Sequence, residues 1–217
     1  MKKIFIAIIA LLVVGTGAWY ANYKGLLGRD SSNVIATVNG EEITQDDFDA
    51  FEQEFVAGQG VSTSTLDAET KAKIKTEVTE ALISQALLSQ AATNSTVEVS
   101  GEQAKTEMET VKGRFGSDAE FQQALVTQGI TEIELLSRLE IELLIRAYLE
   151  DKLSLSTVTA TETEIKTAYD QVAATQTVPP LTEVHDQVRD MILGQKKQAL
   201  IAEHVAELRA QAEVELM

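Results

Sequence analysis

The chain has 217 residues and an acidic composition, with 34 Asp and Glu against 18 Lys and Arg and a net charge of −16 at pH 7. Such a surface repels phosphate backbones and anionic lipid head groups, so nucleic acid is not an expected partner. The chain contains no cysteine, which excludes a disulfide framework and a thiolate metal site.

The first 23 residues predict a transmembrane segment. Lys2 and Lys3 precede a run from Ile4 to Tyr23 that holds no charged residue, and twenty helical residues at about 1.5 Å each span roughly the 30 Å hydrocarbon core. The two lysines favour a cytoplasmic N-terminus, with the rest of the chain outside in the periplasm or at the cell surface. Cleavage as a secretory signal, which would release the chain, is the alternative.

Three aromatic residues favour a retained anchor, because Trp19, Tyr20 and Tyr23 are of the type that settles at a membrane interface. Residues 24–33 then read as a linker rich in glycine, serine and charge, with a reach of about 17 Å if flexible. Beyond Arg29 the chain carries 14 basic and all 34 acidic residues, a net charge of −20. The exported part would therefore be an acidic domain held close to the membrane.

Residues 34–217 predict one mainly helical domain framed by two short strands. Val34–Val38 alternates and is β-branched, and Asn39-Gly40 after it suits the positive backbone angles of a tight turn. At the other end, Ala212, Val214 and Leu216 alternate with glutamates, which predicts a closing strand. The two strands are expected to pair, since neither can leave its backbone groups unsatisfied in a core.

Helix boundaries between the strands are marked by capping residues. Asp67 opens a long helix, Gly129 is a natural helix stop, and Pro179-Pro180 forms a boundary that no helix crosses. Residues 182–212 after it predict a helix of about thirty residues that completes the domain. A Ser or Thr followed three residues later by Asp, Glu or Gln predicts five further helix starts, at Thr44, Ser100, Ser117, Thr131 and Thr161.

Catalytic and metal-binding patterns are not found in the sequence. His185 and His204 both lie on the last predicted helix, 19 residues apart, a spacing that fits neither a metal pair nor a catalytic triad. Solvent-facing positions are expected for them. No glycine-rich phosphate loop follows a strand and no serine lies in a nucleophile elbow. No catalytic residue, metal or cofactor is predicted.

Several stretches, taken in order, carry a family resemblance. The first is VIATVNGEEIT at residues 34–44, directly after the export segment. The second is RFGS at 114–117, followed by Phe121 and Leu136. The last two are TETEI at 161–165 and residues 180–214. In this order they resemble the SurA/PrsA family of extracytoplasmic folding chaperones. The resemblance covers residues 34–216 and implies a SurA N-terminal-like helical module.

The resemblance also implies that an enzymatic domain is missing. Many relatives carry a parvulin-type prolyl isomerase domain between the equivalents of Tyr169 and Pro179, where only nine residues lie here. What remains is similar to the chaperone module alone, which implies a chaperone that holds unfolded or newly exported polypeptides in an apolar cradle. A peptidyl-prolyl isomerase is the least favoured function.

Binding an unfolded segment requires accessible apolar side chains. The candidate client-binding residues are Phe48, Phe51, Phe55, Phe115 and Phe121. Ordinary core packing is the competing interpretation of each. For the whole chain, the alternative is a structural or assembly subunit that binds one envelope partner or a second copy, the latter as a domain-swapped homodimer.

Overall fold

A computed structural model describes residues 33–58 and 67–217. These residues form three β-strands, seven α-helices and a 3-10 helix at Leu155–Thr157. In chain order the elements are β1 (Val34–Val38), β2 (Glu41–Thr44), α1 (Gln45–Gly58), α2 (Ala68–Thr93), α3 (Gly101–Lys112), α4 (Asp118–Gln128), α5 (Glu132–Leu153), α6 (Glu162–Ala173), α7 (Leu181–Gln211) and β3 (Val214–Leu216). The predicted mainly helical fold is confirmed.

The predicted transmembrane segment at residues 1–23 lies outside the described residues, and so does the linker up to residue 32. Within 33–58 and 67–217, none of the helices is long and apolar enough to cross a membrane.

The strands form one antiparallel sheet in the order β2-β1-β3. Val38 faces Val214 and Ala36 faces Leu216, so the predicted pairing of the terminal strands is confirmed. The sheet is not two-stranded as predicted, because β2 also pairs with β1. Asn39 and Gly40 have φ of 53° and 81°, the backbone of a two-residue hairpin turn that sends the chain straight back along β1.

Asn39 also fixes the sheet to its surroundings. Its backbone N–H donates to the Glu213 carbonyl at 2.7 Å, and its side-chain oxygen accepts from the Glu213 N–H at 2.9 Å. Its amide nitrogen donates to Oε1 of Gln90 on α2 at 2.7 Å. One residue of the hairpin turn thus connects the closing strand and α2.

The predicted helix starts are confirmed. Ser100 with Gln103 and Thr161 with Glu164 form complete capping boxes, as the reciprocal bonds of Thr131 with Glu134 also do. The carboxylate of Asp47 accepts from the Thr44 N–H at 2.9 Å. At two helix starts, only one of the two bonds of a capping box is made. Asp67 accepts from the Thr70 N–H. Ser117 accepts from the Glu120 N–H, while the Glu120 carboxylate accepts from the Gly116 N–H. Gly129 ends α4 at φ 67°.

Residues 34–217, predicted as one domain, contain two compact units. The first unit comprises the described residues up to Tyr148 together with Glu207–Met217, and the second comprises Leu149–Ala206.

The first unit has its main core among β1, β2, α1 and α2. Leu208, Ala212 and Val214 of the returning chain pack against this core. The buried members are Ala36, Val38, Ile43, Phe48, Phe51, Phe55, Val56, Val78, Ala81, Leu82, Ile83, Ala86 and Leu87. The spacing of the three phenylalanines places them on one face of α1, the face that the sheet and α2 cover.

The second unit contains α6, most of α7 and few buried side chains. Ile165 and Ile192 are its buried aliphatic residues in these two helices. The Tyr169 hydroxyl donates to the Pro179 carbonyl at 2.9 Å, which closes the short connection between α6 and α7. His204 is also buried, with 4% of its surface exposed, so the prediction that it faces solvent is wrong.

Candidate functional site

Four of the five candidate phenylalanines are buried. Phe48, Phe51 and Phe55 belong to the main core of the first unit. Phe121 is 1% exposed, in a smaller cluster with Met108, Leu125 and Leu139. A side chain in such a position contacts a client only if the fold opens. Packing accounts for all four, and their role in client binding stays a prediction.

Phe115 differs from the other four because 36% of its surface is exposed. It lies in the connection between α3 and α4, with its ring 5.5 Å from that of Phe121 at an interplanar angle of 66°. This edge-to-face contact is a favoured aromatic geometry. Lys112 Nζ lies 5.5 Å from the centre of the Phe121 ring. Phe115 is therefore held by the buried ring and remains accessible.

Two aliphatic residues nearby in the sequence are much more exposed. Val126 on α4 is 72% exposed, because Phe121 and Leu125, four residues apart, occupy the buried face of that helix. Ile133 in the first turn of α5 is 71% exposed. The spacing of Ile133, Leu136, Ile141, Leu144 and Leu149 predicts a buried helix, and for Ile133 this prediction is wrong. Phe115, Val126 and Ile133 are together called the exposed apolar residues of α3–α5.

The α3–α5 region is acidic around these residues. Residues 101–134 contain seven acidic and three basic side chains. One of the three cations is engaged, because Lys112 forms an ion pair with Glu132 and lies 3.7 Å from Glu109. Its hydrogen bond to the Glu132 carboxylate raises the pKa of Lys112, and the same bond lowers the pKa of Glu132. The net negative charge of this region favours a ligand that combines apolar and basic side chains.

His185 takes part in surface ion pairs. Its Nε2 lies 3.0 Å from a Glu162 oxygen, and its Nδ1 lies 3.4 Å from Asp186. These carboxylates raise the pKa of His185, the bond to Glu162 being the larger cause. Among residues 33–58 and 67–217, no group of three or more His, Asp or Glu side chains is placed to hold a metal ion.

Comparison with known proteins gives one family. The protein-family model of the SurA-like N-terminal domain matches residues 1–149, more than two thirds of the 217-residue chain. The match ends beside the boundary between the two units, at Tyr148 and Leu149. It includes Phe115, Val126 and Ile133. No curated protein matches the chain in sequence.

Proposed function

The chain belongs to the SurA-like N-terminal domain family, and on that premise we propose that it is an extracytoplasmic holdase for unfolded or newly exported polypeptides. The observation that supports this most directly is the exposure of Phe115, Val126 and Ile133 within the family-matched residues. Three accessible apolar side chains in an acidic region suit the capture of flexible apolar segments with basic residues.

The proposal includes a location. Residues 1–23 anchor the chain in the cytoplasmic membrane as a single-pass helix, with the N-terminus inside and the domain in the periplasm or at the cell surface. The composition of that segment supports this, since Lys2 and Lys3 precede twenty uncharged residues. Protease added to spheroplasts should digest residues 34–217, and the chain should remain in the membrane fraction after a carbonate wash. Recovery in the soluble fraction would indicate cleavage instead.

The proposed activity is not catalytic. The family match is to the N-terminal domain. At the position where relatives carry an isomerase domain, a short connection joins α6 to α7, closed by the bond from Tyr169 to the Pro179 carbonyl. Turnover of a proline peptide by the chain should therefore equal the uncatalysed rate. Acceleration would show that the chain is an isomerase.

Suppression of aggregation tests the holdase directly. The 217-residue chain should suppress the aggregation of a chemically unfolded client at near-stoichiometric ratio, measured by light scattering. Replacing Phe115, Val126 and Ile133 together by serine should remove most of the suppression, because the exposed apolar contacts are lost. The matched control is Val172→Ser with Met191→Ser, which alters residues of the second unit that are 39% and 43% exposed. No suppression by the unaltered chain would contradict the proposal.

The same two control residues favour a second candidate function. Val172 and Met191 are exposed apolar side chains outside the family-matched residues, and an assembly subunit could use them to bind one folded partner or a second copy. Photocrosslinking from Met191 in intact membranes separates the two functions. A single stoichiometric product from Met191 would indicate an assembly subunit, whereas many products of different mass from Phe115, labelled in a parallel experiment, would indicate a chaperone.

A further inference from the structure

A small cleft in the first unit has an unusual chemical lining. It has a volume of about 170 Å³ and lies where the β1–β2 turn, the end of α2 and the end of α7 come together. Its apolar side chains include Leu87 and Leu208, and its polar side chains are four carboxamides, those of Asn39, Gln90, Asn94 and Gln211. None of the lining residues is charged, although residues 30–217 carry a net charge of −20.

Two of the carboxamides already bind polypeptide main chain. Asn39 binds the N–H of Glu213 through its oxygen, and Gln90 Nε2 donates to the Val38 carbonyl at 2.9 Å and to the Glu41 carboxylate at 2.6 Å. Asn39 and Gln90 are also bonded to each other. These bonds occupy most of the hydrogen-bonding groups of Asn39 and Gln90, and they show that carboxamides at this place can reach peptide groups.

The other two carboxamides remain available. Asn94 and Gln211 are exposed, and neither side chain has a hydrogen-bond partner within the described part of the chain. A carboxamide offers two N–H donors and one carbonyl acceptor, so one such group can bond both the N–H and the C=O of one residue in an extended strand, which point to the same side of that strand. It makes this contact whatever side chain the peptide carries.

From these contacts we infer that the cleft binds a short stretch of extended main chain through Asn94 and Gln211, with Leu87 and Leu208 as its apolar lining. The N–H and C=O groups of an α-helix bond to each other within the helix, whereas those of a single extended strand are free to bond the two carboxamides. The identification of that strand as an unfolded client rests on the proposed function. Because main-chain contacts do not depend on the side chains of the client, the cleft can hold clients of unrelated sequence. The exposed apolar residues of α3–α5 then select among these clients by their side chains.

The test compares two labelled peptides on the 217-residue chain. One is an uncharged ten-residue peptide of Ala, Ser and Thr, and the other has the same sequence with alternate backbone nitrogens methylated. Methylation removes N–H donors and leaves the side chains intact, so the chain should bind the unmethylated peptide about 5-fold or more tightly by fluorescence anisotropy. Raising the salt concentration should leave this affinity unchanged, because the lining has no charge to screen.

The variant Asn94→Ala with Gln211→Ala should lose about 5-fold in affinity for the unmethylated peptide and should no longer distinguish the two peptides. Both residues are exposed, so the melting temperature should stay that of the unaltered chain. Gln176→Ala with Gln187→Ala, exposed glutamines of the second unit, is the matched control and should bind as the unaltered chain does. Equal binding of both peptides by the unaltered chain, or full affinity in the cleft variant, would overturn the inference.

Failure of the inference and failure of the proposed function give different results. If the cleft variant still distinguishes the peptides while the serine triple variant loses aggregation suppression, the holdase stands and the cleft does not bind main chain. If the unaltered chain distinguishes the peptides but suppresses no aggregation, the cleft binds main chain and the holdase is wrong.

Discussion

The two units of the molecule are stabilised by different kinds of contact. The first unit buries thirteen side chains in its main core and four more around Phe121. In the second unit, four side chains are buried, those of Leu149, Ile165, Ile192 and His204. Its helices are joined instead by exposed polar contacts, such as Lys196 Nζ with Glu164 at 2.6 Å and with the Thr159 carbonyl at 2.8 Å.

This difference predicts how each unit responds to its surroundings. Apolar burial contributes roughly 25 cal/mol per Å² and changes little with pH or salt. Exposed ion pairs contribute about 0–1 kcal/mol each and weaken as ionic strength rises. The family-matched unit should therefore open last, and the second unit should open first and in a manner that depends on pH.

The largest expected effect is in the main core. Phe55→Ala should lower the free energy of unfolding by about 3–5 kcal/mol, because Phe55 is 1% exposed and its removal leaves a cavity. Urea unfolding followed by circular dichroism measures the change. Phe115→Ala, at a ring that is 36% exposed, is the control and should cost about 1 kcal/mol or less. Equal losses would mean that Phe55 is not a core residue.

The next largest effect is expected at Asn39, in the turn that links the sheet to α2. Asn39→Ala should cost about 1–3 kcal/mol, since it removes the side-chain bonds to Glu213 and Gln90 and places alanine at φ 53°. Asn39→Gly relieves the backbone strain while losing the same bonds, so it should cost less than alanine. If the two variants unfold at the same urea concentration, the backbone angle has no energetic role.

In the second unit, loss of a cap should act locally. Thr161→Ala removes the bond from the Glu164 N–H and should destabilise α6 by about 1 kcal/mol. Hydrogen exchange should become faster in α6 and stay unchanged in α1 and α2. Thr167→Ala, at an exposed position within the same helix, is the control. Faster exchange in α2 as well would mean that the two units unfold as one.

Acid should weaken the second unit through Glu164. The hydrogen bond from Lys196 is the largest cause that lowers the pKa of Glu164 from 4.5 to about 2, and the Thr161 N–H adds to it. A carboxylate whose pKa is lower in the folded state stabilises that state above pH 4.5 and loses this contribution as the pH falls to about 2. Melting curves over that range should show a smaller decrease for Glu164→Gln than for the unaltered chain. Glu203→Gln, an exposed carboxylate of the same unit, should follow the unaltered chain.

The smallest expected effect comes from His185, whose stabilising contribution is lost as the pH rises, whereas that of Glu164 is lost as the pH falls. Glu162 and Asp186 raise its pKa above the ordinary 6.5, so its contribution is fully present below pH 6.5 and is lost as the pH rises through the folded-state pKa. An NMR titration of the imidazole should show a lower pKa in Glu162→Gln. Glu183→Gln, in the first turn of α7, should leave the His185 titration unchanged. No shift in the first variant would mean that the 3.0 Å contact is not made in solution.

Local signals in the sequence predicted much of the fold. The caps at Ser100, Thr131 and Thr161 and the Asn39-Gly40 turn act within a few residues, so their outcome does not depend on distant parts of the chain. The strand β2 was missed because Ile43 is its single apolar residue and because Thr44, its last residue, also caps α1.

Side-chain exposure was harder to predict, since it depends on which elements pack together. His204 lies four residues before Leu208 and so shares its helix face; that spacing could have indicated burial. For Ile133, no local signal separates it from the buried leucines of α5. The sequence leaves both a core and a groove open to the five phenylalanines, and only the packing of α1 against the sheet and α2 separates Phe48, Phe51 and Phe55 from Phe115.

The bonds between Asn39 and Glu213 join residues that are 174 positions apart. A ribosome delivers the chain from its N-terminus, so β1 and β2 emerge long before β3 and must wait for it with one edge of the sheet unpaired. Contacts so distant in sequence are slow to form. The order of synthesis therefore makes closure of the first unit one of the last events in the folding of this chain, and a nascent chain halted before residue 213 should still carry an open sheet.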